Sequence, residues 1–249
     1  MARAVRRPAR RRASRERRVG AYARLDHDRV RRVGVPEVVL GEGKTVEHLL
    51  GIVRAFLDDR RGGFVSRPSR AQVAALERLA RRRPSVRFLA GGRLVRLPGP
   101  LDGAYRPGTV ALVAAGTSDV PVAEEARALL EELGLRVVHA YDVGVAGLHR
   151  LLRALRYLER SRPETYLVFA GREGALPTVV AGLVRAPVVG VPTSVGYGRG
   201  GHGEAALAAM LQSCAPIAVV NIDAAVPAAL FAAQRFALSP APRARSRRR

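Results

Sequence analysis

The chain has 249 residues, 48% of them hydrophobic, with one Cys, no Trp and a formal net charge of +22. That apolar content is enough to bury a core, and a single cysteine excludes an internal disulfide and any multi-cysteine metal site, as suits a reducing, cytoplasmic setting. No uncharged apolar run reaches the roughly 18 residues of a membrane span, so no membrane partner is expected, and no apolar stretch of a secretory signal follows the Arg-rich start.

The charge is concentrated at the ends. Residues 1–18 hold nine Arg and one Glu, and residues 239–249 hold five Arg, whereas residues 108–238 carry 11 groups of each sign. Both ends lack apolar periodicity and read as disordered basic tails, able to touch polyanions non-specifically. Residues 19–106 read as a small N-terminal α/β domain. "PEVVLG" and "VRFLAGGRLVRL" are strands, the second with a Gly-Gly turn; "TVEHLLGIVRAFLDD" and "PSRAQVAALERLARRR" are helices. Ser69 is placed as an N-cap, and Thr45 followed by His48 lacks a full capping box. "PGPLDGAYRPG" then marks a domain boundary.

Over residues 107–238 the pattern becomes regular. Apolar runs "TVALVAA", "LRVVHAY", "TYLVFAG", "APVVGV" and "IAVVNI" alternate with helical stretches. This predicts a parallel sheet of about five strands with helices on both faces and strands apolar throughout. Ligands of such sheets bind at the carboxyl ends of the strands. The loops there supply the candidates. Thr117, Ser118 and Asp119 suit a phosphate, a ribose or a magnesium ion, or simply cap a helix. Asp142 suits a ribose or magnesium, and His149 a ligand contact or a structural role. Ser194, Gly196 and Tyr197 suit a carboxylate or phosphate, or form a turn, and Asp223 closes the last strand. No P-loop and no dinucleotide fingerprint after the first strand is present. Cys214, in "MLQSCAP", is either a nucleophile or a small core filler. Its place near a helix C-terminus opposes a thiolate.

Several long motifs agree in order and spacing with one family. "DHDRVRRVGVPEVVLGEGKT" (26–45), "AGTSDVPVAEEA", "YDVGVAGLHRLL", "EGALPTVVAGLV", "VPTSVGYG", "MLQSCAP" and "VVNID" resemble the LarB family, relatives of the PurE or AIR carboxylase enzymes. The resemblance implies a flavodoxin-like, PurE-type three-layer domain and an octamer. It further implies carboxylation of nicotinic acid adenine dinucleotide at ring carbon C5 by CO2 or bicarbonate, with hydrolysis to AMP and pyridinium-3,5-biscarboxylic acid mononucleotide. That reaction opens nickel-pincer cofactor biosynthesis. Cys214 matches the family's nucleophile and Glu173 a site residue suited to be the base. PurE enzymes carry a catalytic His in an A-G-x-x-x-H-L-P-G loop, where this chain has "AGREGALPT" with Ala175. The alternatives are a LarB-derived nucleotide-binding protein without carboxylation and a PurE-like mutase. The chain departs from the family at "NIDAAVPAA", at Arg172, at "GYGRGGHGE" and in lacking a Gly after Pro216.

Overall fold

The computed structural model describes residues 16–101 and 105–238. The N-terminal part comprises β1 (Glu16–Val19), β2 (Ala23–Asp26), α1 (Arg29–Val33), β3 (Val38–Leu40), α2 (Val46–Asp58), β4 (Gly63–Ser66), α3 (Arg70–Ala80), β5 (Arg87–Leu89) and β6 (Leu94–Leu97). Strands β1 and β2 form an antiparallel hairpin, which corrects the expected tail boundary at residue 18. Two forces hold it: Leu25 is buried and Val19 packs in the same apolar cluster as α2, and Arg17 pairs with Asp58 and Asp59 at the end of that helix. The remaining length of the two expected tails, 1–15 and 239–249, lies outside the described residues.

A four-stranded sheet in the order β3-β4-β6-β5 follows, with β3 and β4 parallel and the other pairs antiparallel. The Thr45 hydroxyl accepts from His48 N–H, and Ser69 forms a full capping box with Gln72. Strand β4 ("GFVS") is not anticipated by the sequence reading, being four residues long and opening on glycine. Its glycine is required sterically: a Cβ on Gly63 would stand 2.8 Å from the Phe56 ring.

The second part comprises β7 (Thr109–Ala114), α4 (Val120–Glu132), β8 (Arg136–Ala140), α5 (Leu148–Glu159), β9 (Thr165–Ala170), α6 (Leu176–Ala181), β10 (Val188–Pro192), α7 (Glu204–Leu211), β11 (Ile217–Val219) and α8 (Ala225–Gln234). The five strands are all parallel, in the order β11-β10-β9-β7-β8, which is the flavodoxin-like order. Period-2 alternation divides the strands between two cores. Val110, Leu112 and Ala114 pack toward α4 and α8, while Ala111 and Val113 pack toward α5, α6 and α7. The three central strands are nearly all buried; the edge strands β8 and β11 are only half-buried, so uniform apolarity belongs to the middle of the sheet.

The expected division near residue 106 separates two sheets but not two cores. Phe64 and Leu94 of the first sheet share one buried cluster with Ala123, Leu130, Ala229 and Phe236 of the second part. The molecule is therefore layered: α2 and α3, the four-stranded sheet, α4 and α8, the five-stranded sheet, then α5 to α7.

Within the shared core stands one carboxylate. Glu125 of α4 is fully buried and accepts from Ser66 Oγ at 2.6 Å and from Arg93 Nε at 3.2 Å. A buried ion of this kind persists only because its lone pairs are satisfied. Burial nevertheless raises its pKa above the ordinary 4.5, with Ser66 and Arg93 pulling it back. The folded chain thus holds this proton to higher pH than the unfolded chain does, so stability falls as pH rises from 4.5 through the folded value. Glu125→Gln cannot ionise, so the stability gap between the protein and this variant should narrow as the pH is raised above 4.5. Urea denaturation at several pH values measures it; a flat or widening gap contradicts burial as the dominant influence.

Candidate active site

In this strand order the connections from β7 and β9 leave on opposite faces, α4 on one and α6 on the other, which opens a crevice at the carboxyl edge. Asp119 sits in that crevice, 4% exposed. Its Oδ2 accepts from Gly116 N–H at 2.8 Å within its own loop. Its Oδ1 accepts from Gly171 N–H at 3.1 Å and from Thr193 Oγ1 at 2.5 Å. One carboxylate therefore ties together the loops after β7, β9 and β10. Burial raises its pKa, against the hydrogen bonds from Thr193, Gly116 and Gly171 that favour the charged form. Thr117 and Ser118 lie beside it, exposed at the start of α4.

The loop after β9 is tightly turned. Gly171 has no room for a side chain, since a Cβ would lie 2.2 Å from the Val195 carbonyl oxygen. Arg172 and Gly174 both adopt left-handed backbone, φ 48° and 65°, and between them Glu173 is held out exposed at the carboxyl edge. A bulky residue in that region is strained, and such strain concentrates at functional sites. The Arg172 guanidinium lies 4.7 Å from the Tyr197 ring centre and its Nη1 is 3.0 Å from the Tyr197 hydroxyl. Tyr197 itself is 79% exposed, next to the half-buried Gly196. Asp223, also left-handed at φ 54°, accepts from Ser194 N–H at 2.9 Å, joining the loops after β10 and β11. Its carbonyl accepts from Arg67 Nη1 at 3.3 Å, which brings the N-terminal part to this edge.

Two expected ligands do not join the Asp119 network, although Asp142 follows β8 at the same carboxyl edge, where Val143 N–H donates to the Ala114 carbonyl at 3.2 Å. Asp142 is exposed, left-handed at φ 57° and paired with Arg150 at 2.9 Å. His149 lines a surface cavity on α5 with Arg153, Arg156 and Tyr157, which none of the Asp119-linked residues lines. The magnesium role expected of Asp119 and Asp142 does not fit this arrangement. Both Asp119 oxygens are already engaged, and among the described residues no three His, Cys, Asp or Glu side chains converge as metal ligands.

Cys214 is exposed, so it is not a core filler. It lies between α7 and β11, and Ile217, the first residue of β11, pairs with Val188, the first residue of β10. Cys214 therefore belongs to the amino edge of the sheet. Glu173 belongs to the carboxyl edge, and five residues of β10 at about 3.3 Å each separate the two by roughly 16 Å. The sequence reading put both residues in one site; a single chain does not bring them together, because the sheet stands between them.

Sequence reasoning missed Gly171, Thr193 and Arg67, and noted Arg172 only as a departure from the family pattern beside Glu173. In "VPTSVGYG" the choice of Ser194 overlooked its neighbour Thr193, which is the fully buried hydroxyl. Asp119→Asn tests the clip, because an amide can accept on only one side and presents a donor to the other. It should destabilise the fold by about 2–3 kcal/mol in urea denaturation; a loss under about 0.5 kcal/mol would show that the loops do not depend on it.

Residues 109–247 match the AIR carboxylase family model and residues 17–97 match the LarB/PurE-like N-terminal domain. An uncharacterised protein of Methanocaldococcus jannaschii is 37% identical over 214 residues, covering 84% of this chain and 82% of that one. The N5-carboxyaminoimidazole ribonucleotide mutase of Pyrococcus horikoshii is 33% identical over 129 residues, covering 49% of this chain and 69% of that one. A crystal structure of a Treponema denticola PurE2 variant aligns at 23% identity and TM-score 0.41, over 52% of this chain and 87% of that one. Among the described residues, no helix is long and apolar enough to cross a membrane. The chain belongs to the AIR carboxylase family, with its carboxylase-type domain packed behind a LarB/PurE-like N-terminal domain.

Proposed function

We propose that the protein carboxylates C5 of the pyridinium ring of nicotinic acid adenine dinucleotide and hydrolyses the phosphoanhydride, releasing AMP and pyridinium-3,5-biscarboxylic acid mononucleotide. The observation that carries this reading is the loop after β9. At the place of the His of PurE-type enzymes stands Ala175, which cannot carry a proton, and the acid–base group the loop offers is the exposed Glu173. The LarB/PurE-like N-terminal domain supports the same reading.

The chemistry follows from the electron demand of the ring. A pyridinium does not attack CO2. Addition of the Cys214 thiolate at C4 makes a neutral dihydropyridine whose C5 is nucleophilic. C5 forms the new carbon–carbon bond to CO2, Glu173 takes the C5 proton, and departure of the thiolate restores the aromatic cation. Water then adds to phosphorus and AMP leaves. Substrate binding supplies a cation beside the thiolate, which offsets the unfavourable end of α7. Thr117, Ser118 and Ser194 offer hydroxyls to the phosphates at the carboxyl edge.

Because the sheet separates Glu173 from Cys214, this mechanism requires the carboxyl edge of one copy to face the amino edge of another. An oligomer, an octamer by family resemblance, supplies that arrangement, and the site is then shared between cytoplasmic copies of the chain.

Incubation with nicotinic acid adenine dinucleotide and bicarbonate should yield AMP and the dicarboxylated mononucleotide by mass spectrometry. A mutase of the kind found among the relatives would instead convert carboxyaminoimidazole ribonucleotide and leave the dinucleotide intact, and binding without turnover would reduce the protein to a nucleotide binder. Glu173→Gln should slow carboxylation by about 10²–10⁴-fold, and Cys214→Ser should abolish it. Co-expression of the two variants should restore activity in about a quarter of the sites, because random assembly pairs an intact Cys with an intact Glu that often. No restoration would place both residues in one chain's site or outside the chemistry.

A further inference from the structure

Two cavities meet where the N-terminal part touches the carboxyl edge, and they share Arg67 and Asp223. One, of about 430 Å³, is an apolar slot: Leu40 from the first sheet faces Ile222, Val226, Pro227 and Leu230 from the second part. The other, of about 750 Å³, is polar and walled by the Gly41–Lys44 loop, the Arg67–Arg70 turn and Arg93. Ligand sites favour such junctions between domains, in volumes of about 300–1,000 Å³.

The polar cavity is preorganised. Buried Gln72 donates to the carbonyls of Gly41, at 2.9 Å, and Lys44, at 2.7 Å, and accepts from Ser69 N–H at 2.8 Å. Both of its N–H donors and its amide oxygen go into locking the two loops together. Gly41 is packed so closely that a Cβ would sit 2.7 Å from Pro68 Cα, whereas Gly43, at φ 74°, has open space beside it. The charges have an unequal state of use. Arg67 is paired with Glu42, Arg93 with Glu125, and the Asp223 carboxylate accepts from Ser194. Lys44 and Arg70 have no ion-pair partner among the described residues, with Glu77 the other carboxylate on the wall.

We infer that this cleft is a nucleoside monophosphate site, with a flat base in the apolar slot, the phosphate beside Lys44 and Arg70, and Arg67 between them. An apolar slot alone would suit many ligands, and a basic cavity alone many anions. Their contact across one arginine selects a molecule with an uncharged aromatic end and an anionic end a few ångströms apart. AMP, a product of the reaction proposed above, is such a molecule, and choosing it as the probe rests on that reading.

Calorimetric titration of the full chain with AMP, adenosine and inorganic phosphate tests the site without turnover. AMP should bind, adenosine more weakly, and phosphate should compete with AMP. Lys44→Ala with Arg70→Ala, both on the accessible wall, should weaken AMP about tenfold or more and leave adenosine unchanged; Leu40→Ala should weaken both. Equal AMP affinity in the double variant, or no AMP binding by the unaltered protein, would overturn the assignment. If the double variant loses AMP but the dinucleotide is never carboxylated, the cleft stands and the reaction falls. If the dinucleotide is carboxylated and AMP affinity ignores Lys44 and Arg70, the reaction stands and the cleft falls.

Discussion

The carboxyl edge of the parallel sheet is organised by a carboxylate that is buried but fully satisfied. Asp119 accepts two backbone N–H groups and one hydroxyl from three different loops. Backbone bonds already cross between some of these loops, Arg172 N–H donating to the Val195 carbonyl at 3.0 Å, but the carboxylate adds the loop after β7, and without it the three loops would keep more conformational entropy. A low-dielectric contact to one shared charge removes that freedom. The compressed Gly171, the strained Arg172 and the projection of Glu173 between two left-handed residues belong to the loop it anchors, and Asp223 separately joins the loops after β10 and β11.

A second buried carboxylate performs the same service between the layers. Glu125 binds Ser66 and Arg93 of the first sheet to α4 of the second part, and apolar packing of Phe64 and Leu94 on that helix completes the junction. The consequence is functional. Arg67, the residue after Ser66, is thereby fixed against the loop after β11, and the N-terminal part becomes a wall of the cleft at the carboxyl edge.

The parallel sheet was legible in the sequence because its strands and helices each carry the right period. β4 was not, because four residues opening on a sterically obligatory glycine carry no usable period. Nothing in "PVAEEARALLEELG" sets Glu125 apart from Glu124, Glu131 and Glu132, and only the packing of another sheet on that helix shows it to be buried. The roles of Asp119 and Thr193 depend on contacts across 52 and 74 residues of chain, which local pattern cannot reveal. Cys214 was recognised as exceptional by motif, but its edge of the sheet follows from strand register alone.

The proposed carboxylation needs the Glu173 edge of one copy to meet the Cys214 edge of another. With a single native cysteine, Glu173→Cys creates a chain with two thiols, one on each edge. Treatment with a short bis-maleimide, followed by denaturing electrophoresis and peptide mass analysis, reads their proximity. A covalent dimer joined through positions 173 and 214 is expected. A link between those positions within one chain, or none in the assembled protein, would contradict it.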